Sequence, residues 1–188
     1  MSAIEIQGFL NKLYLEEDFR NDFFKDRQLF FKSRSIHSPE TIAFMKDINQ
    51  GQVEFFSQGL YKKRKYAVDQ LLPRTVKILG ENHKTLFRKF SKTFFPDGIH
   101  KHHSDAIHYC DFINRQGKKS ILFKNILKFE KDLLKNFLRP RYFYFSVYYY
   151  NPVTTLESPD LSDITAPSRS LTLITWRKGI IKNVMPFG

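Results

Sequence analysis

From the N-terminus, apolar residues recur first at helical spacing: Ile6, Phe9, Leu10, Leu13 and Tyr14 share one stripe. Phe19, Phe23 and Phe24 carry the pattern past the acidic patch Glu16–Asp18. Ser38-Pro39-Glu40 writes a helix start, with Ser at the N-cap and Pro in the first turn. Ile42, Met45 and Ile48 continue it toward a stop near Gly51, and Val53, Phe56 and Leu60 open a longer helix through the basic block Lys62–Lys65. Pro73 lacks a backbone donor and disfavours helix at Leu72, which predicts a kink or restart, with Gly80 as the following C-terminal cap. Leu86, Phe87, Phe90 and Phe94 form the next amphipathic stretch, stopped by Pro96-Asp97-Gly98. Ser104-Asp105 opens another through Ala106, Ile107, Cys110 and Ile113 to Gly117. Phe123, Ile126, Leu127, Leu134 and Phe137 mark the last helix.

Past Pro140 the period shifts from 3.6 toward two. Every residue from Tyr142 to Tyr150 except Ser146 is Tyr, Phe or Val, types that fit a pleated surface and lose rotamer freedom on a helix. The strand carries hydroxyls on alternate residues, so neither face is purely apolar. The stretch 151–168, with three prolines and many Ser, Thr and Asp, reads as a long loop. A second strand alternates Leu171, Leu173 and Thr175 against Thr172, Ile174 and Trp176; Lys178-Gly179 marks a tight turn, and Ile180 to Met185 returns as a third strand. The pattern predicts an α+β chain: a helical domain over 1–138, then an antiparallel β-sheet domain over 139–188.

Charge changes this picture in one respect. The formal net charge of +12 is uneven. Residues 1–30 hold six acids against four bases, and residues 31–138 hold twenty-one bases against ten acids. The basic middle either faces solvent or meets an anionic partner. Cys110 is the only cysteine, so no intramolecular disulfide is possible; its apolar neighbours make it a core residue. The N-terminus lacks the basic and long apolar regions of a signal peptide, and no apolar run is long enough to span a bilayer, which predicts a cytoplasmic protein without a membrane partner.

Candidate chemistry is sparse. His100, His102, His103 and His108, with Asp105, Cys110 and Asp111, could compose a two-His-one-carboxylate site; the alternative is a polar turn capping the next helix. No metal-binding motif spacing is present, the glycines are isolated, and no GxSxG or Cys–His signature occurs. Lys62–Lys65 followed by Tyr66 mixes charge with an aromatic, as a nucleic-acid patch does, but the four bases point around much of one helix. The C-terminal strands, flanked by Arg139, Arg141, Arg169 and Arg177, suit an extended acidic peptide added to a sheet edge.

The strings RKYAVDQLLPRTVKILGENHKTLFRKF and FPDGIHKHHSDAIHYCDFI resemble the helical N-terminal domain of bacterial partner proteins encoded beside multinuclear-iron oxidases, those of methanobactin biosynthesis in particular. The similarity rests on LLPRTVKILG at Leu71–Gly80, Leu86-Phe87, the PDGIHKHHSDAI turn and Phe112, within residues 40–115. The resemblance implies a non-catalytic accessory subunit that forms a heterodimer with a TIM-barrel multinuclear-iron oxidase. The pair would convert cysteines of a ribosomally made precursor peptide to oxazolone and thioamide groups. It also implies that iron belongs to the partner and that this chain binds no metal or cofactor and supplies no catalytic residue. The strand pattern places leader-peptide binding on Leu171, Thr172, Leu173, Ile174, Thr175, Trp176 and Arg177, because the aromatic strand is the better packed of the two. Arg139, Arg141, Tyr144, Tyr148, His100, His102 and His103 are the expected partner interface. The competing reading is a basic nucleic-acid-binding regulator.

Overall fold

The computed structural model describes residues 3–117, 120–140, 144–149, 171–178 and 180–187. Among them are nine helices followed by a three-stranded antiparallel sheet, the α+β order that the periodicity predicts. The chain divides into two compact units, Met1–Lys65 and Tyr66–Gly188.

In the first unit the opening apolar stripe is cut into three helices, α1 (Ala3–Leu15), α2 (Glu17–Lys25) and α3 (Arg27–Ser33). Polar side chains make the cuts. Asp26 turns extended and its carboxylate accepts from Leu29 N at 2.9 Å, capping α3. The Arg20 guanidinium donates to Leu13 O at 3.1 Å, closing the end of α1. These breaks let Phe9, Phe23 and Phe30 converge edge to face, with centroids 5.2 to 6.2 Å apart. Met45 and Val53 complete that core from α4 (Pro39–Lys46) and the start of α5 (Gln50–Leu71). Ser38 caps α4 as expected. Gly51 is not a stop, however: it lies in the first turn of α5, where Asn49 Oδ1 accepts from Gln52 N at 3.0 Å. Arg27 donates to Ile48 O at 2.8 Å while its guanidinium lies over Phe23, 5.1 Å from the ring centre.

In the second unit Pro73 restarts the helix as predicted, giving α6 (Pro73–Leu79) after a non-helical Leu72, and Gly80 ends it at φ 51°. Next come α7 (Asn82–Ser91), α8 (Lys101–Arg115) and α9 (Ile121–Leu138). Helix α8 begins at Lys101, a turn before Ser104-Asp105. The sheet has the order β1 (Tyr144–Tyr148), β2 (Leu171–Arg177), β3 (Ile180–Phe187). The expected loop at 151–168 and the turn residue Gly179 lie outside the described residues; Lys178 takes the left-handed φ of 52° that a tight hairpin requires.

The sheet packs on α9: Phe129 shares a buried cluster with Tyr148, Ile174 and Trp176. A bulge after the Thr175–Asn183 pair sets Ile181, not Lys182, opposite Trp176. The extra residue keeps an apolar side chain beside the indole, where unbroken alternation would have brought a lysine.

Candidate functional site

The stripe of α9 that faces the sheet mixes polar residues with Phe129. Asn125, Phe129, Asp132 and Asn136 follow one another at spacings of four, three and four, which sets them on one stripe, and all four are buried. Asp132 is the hub. Its Oδ1 accepts from Tyr144 Oη at 3.2 Å; its Oδ2 accepts from Ser146 Oγ at 3.1 Å and Tyr148 Oη at 2.8 Å. The alternate hydroxyls of β1 thus converge on one carboxylate, which β1 reaches because its even-numbered residues share a face. Burial, followed by the neighbouring Asp132 charge, pushes the Tyr148 phenol well above its ordinary value.

Helix α9 also covers the outer edge of β1. Lys128 Nζ donates to Val147 O at 2.7 Å, and Asn125 Oδ1 accepts from Tyr149 N at 3.3 Å. The edge of β3 carries no further strand among the described residues. Pro186 pairs with Thr172 and has no N–H to donate, so that pair is not hydrogen-bonded; alternation makes Ile174–Val184 the same kind. The backbone N–H and C=O of Val184 therefore point to the open edge.

This geometry corrects the placement of the peptide on Leu171–Arg177. Strand β2 is the centre of the sheet, paired along its length with β1 and β3, and has no free backbone edge for an added strand. Thr172, Ile174 and Trp176 are turned inward and buried; Leu171 and Arg177 are exposed, and Leu173 and Thr175 half-buried. Periodicity shows alternation but not sheet order, which is why the most regular strand looked the most available. Tyr148, expected at a partner interface, is wholly buried and its hydroxyl is taken by Asp132. Tyr144 is half-buried on the same carboxylate, Arg139 is exposed at the end of α9, and Arg141 lies outside the described residues.

The histidines disperse onto aromatic rings. His103 stacks on Phe137 with centroids 4.7 Å apart, and His108 stacks on Phe94 at 4.0 Å while its Nδ1–H donates to Ser104 O at 2.8 Å. His100 is exposed and His102 half-buried. Partial burial, then the charges of His100 and His102, lowers the His103 pKa below its ordinary value. Asp111 pairs with Lys131, and Asp105 is buried. Among the described residues no group of three or more His, Cys, Asp or Glu side chains could hold a metal ion. Burial, then the nearby Glu130, pushes the Cys110 thiol far above its usual range, so the cysteine is not poised as a thiolate nucleophile.

Two further polar constellations escaped sequence reasoning. Glu130, buried on α9, accepts from Arg74 N and Thr75 N, both at 3.0 Å, and so caps α6 from another helix. His83, also buried, bridges Asp69 Oδ1 at 2.7 Å and Tyr109 Oη at 2.8 Å. The signal for Asp132 was present: hydroxyls on alternate strand residues need an acceptor, and FEKDLLKNF places an acid three residues after an apolar one. Nothing local pairs those two segments.

No family model, curated protein or solved structure matches this chain. No helix among the described residues is long and apolar enough to cross a membrane.

Proposed function

We propose that this chain is a non-catalytic accessory subunit that captures the leader of a ribosomally made precursor peptide and presents it to an iron-dependent oxidase. The reading rests on the resemblance of the motifs at Leu71–Gly80 and in the Pro96–Ile107 turn to those of the methanobactin-biosynthesis partner protein MbnC. On this reading the partner is an MbnB-like TIM-barrel oxidase that holds the iron, and the substrate is an MbnA-like peptide whose cysteines become oxazolone and thioamide groups in a copper chelator. The observation that carries the reading is the small C-terminal sheet with one edge covered by α9 and the other, on β3, carrying no further strand among the described residues. An extended peptide added there would gain backbone hydrogen bonds from Val184, beside the cations Arg177, Lys178 and Lys182.

The test is a pull-down with the iron oxidase and precursor peptide encoded beside this chain. The reading expects a stable complex with the oxidase and peptide binding that weakens in Val184→Pro, while the oxidase complex survives and Trp176 emission stays that of a buried indole. A chain that binds neither oxidase nor peptide sinks it. The competing nucleic-acid reading has the exposed Lys62 and Lys63 in its favour. It requires duplex DNA affinity that falls steeply with salt; absence of binding at low salt removes it.

A further inference from the structure

The sheet carries apolar side chains on both faces, not only on the face that packs on α9. In antiparallel sheets with one covered face apolar residues point in and polar residues point out. Here the face on α9 holds Tyr144, Ser146, Tyr148 and Thr172 beside Ile174, Trp176, Ile181 and Val184, whereas the face away from α9, on which no described element packs, holds Phe145, Val147, Tyr149, Leu171, Leu173 and Met185. Phe145 is 63% exposed, Val147 52% and Tyr149 61%. The registers align Val147, Leu173 and Met185 in one row across all three strands, and Phe145, Thr175 and Asn183 in the next. Six apolar side chains on one face form a continuous patch, the kind that marks an interaction surface, unlike apolar residues scattered singly.

Two observations say what fits it. First, the described sheet residues include three bases, Arg177, Lys178 and Lys182, all exposed, and no acid, so a complementary surface is anionic. Second, three strands about 4.8 Å apart make a platform about 10 Å wide, the breadth of one helix, and α9 already occupies the opposite face. The row containing Thr175 and Asn183 places a hydroxyl and an amide in the middle of the patch, where a protein side chain can pair with them and a hydrocarbon layer cannot. We propose that the outer face of the sheet docks an amphipathic helix of a partner protein, with an apolar stripe flanked by Asp and Glu. The helix would complete a helix–sheet–helix sandwich around β1–β3. This surface is distinct from the β3 edge, and the proposal stands whether or not a peptide adds to that edge.

The experiment uses the full chain and two fluorescein-labelled synthetic helices that share one Leu/Ile stripe, one flanked by Glu and the other by Lys. Anisotropy titrations are expected to show the Glu-flanked helix binding at least about ten-fold tighter, with the margin shrinking as salt rises. Val147→Asp is expected to weaken the Glu-flanked helix by about ten-fold or more. The milder Phe145→Ser provides a second test if the aspartate variant misfolds, and Trp176 emission from the opposite face reports folding in each. Val184→Pro, which acts on the edge, should leave helix binding unchanged, so loss of the peptide reading and loss of this one are separable. Equal affinity for both helices, undiminished binding by a folded face variant, a concentration-dependent dimer abolished by Val147→Asp, or Val147-dependent sedimentation with phosphatidylserine vesicles but no helix binding would each overturn the proposal.

Discussion

Around Phe23, aromatic rings meet edge to face in an apolar core; around Asp132, three hydroxyls and a carboxylate meet between α9 and β1. Both units bury apolar side chains, and the second adds a network of buried polar groups to that burial. Burial of rings is non-directional and tolerates small shifts. A buried carboxylate is tolerated only where its donors are placed to within hydrogen-bond distance. Thr41 is the one buried polar residue described in the first unit, whereas the second buries Thr75, His83, Asp105, Asn125, Glu130, Asp132, Asn136, Ser146 and Thr172. Such a core fixes register more tightly than area alone does: slipping β1 by one residue would turn its hydroxyls away from Asp132 and set Phe145 and Val147 against it. The same constraint leaves the apolar side chains of β1 facing outward, so the polar core and the exposed apolar face have one origin.

The largest effect that can break this contrast is Phe23→Ala, expected to destabilise the first unit by about 3–5 kcal/mol through loss of the ring and the cavity it leaves. Trp176 is the only tryptophan and is buried in the second unit, so its fluorescence reports that unit alone. Denaturant titration should show the circular-dichroism transition shifting while the fluorescence midpoint holds; coincident shifts would erase the distinction between the units. Asp132→Ala should cost about 3 kcal/mol and move the Trp176 transition, because it strands the buried hydroxyls of Ser146 and Tyr148 and the half-buried one of Tyr144. Asp132→Asn should cost about half that, since an amide oxygen still accepts. If alanine proved the milder of the two, the hydroxyls would not depend on the carboxylate.

Caps provide a smaller control. Ser38 accepts from Thr41 N in the first unit and Ser120 from Phe123 N in the second. Either serine to alanine should cost about 1 kcal/mol, alike in both units because capping is local. A marked inequality in thermal or chemical denaturation would show that the units transmit local damage differently. The smallest effect is a slope with pH. Burial raises the Glu130 pKa above its ordinary value, against the lowering pull of its bonds to Thr75 and Arg74. Between the ordinary and the raised value the folded chain holds more protons than the unfolded one. The Glu130 contribution is therefore full below the ordinary value and is lost as pH rises through the raised one. The stability difference between wild type and Glu130→Gln should shift in favour of the variant across that window; a flat difference, followed by denaturant titration at each pH, would contradict the shift.

Much of the fold was legible because its causes are local. Ser38-Pro39 starts a helix, Pro73 restarts one, Gly80 ends one, and the change of period after Pro140 announces strands. Each of these acts over a few residues through a cap, a missing donor or a steric limit. Local signals fail where a distant partner decides the outcome. Phe137 reads as core on the apolar stripe of α9 yet is 65% exposed under His103, while Asn125 and Asp132, outside that stripe, are buried. Helix α9 lies against helices on one side and the sheet on another, and a single amphipathic stripe cannot describe an element covered twice.

Sequence by itself determined the order and kind of the elements, the strand faces and the absence of a disulfide. Which of those faces turns inward was decided by Asp132, the order of strands by the pairing of β2 on both sides, and the availability of an edge by Lys128 and Asn125 closing β1. The physical reason is range. Backbone preference and periodicity are set by neighbours in the chain, whereas a buried carboxylate, a central strand and a covered edge exist only once segments far apart in sequence have met.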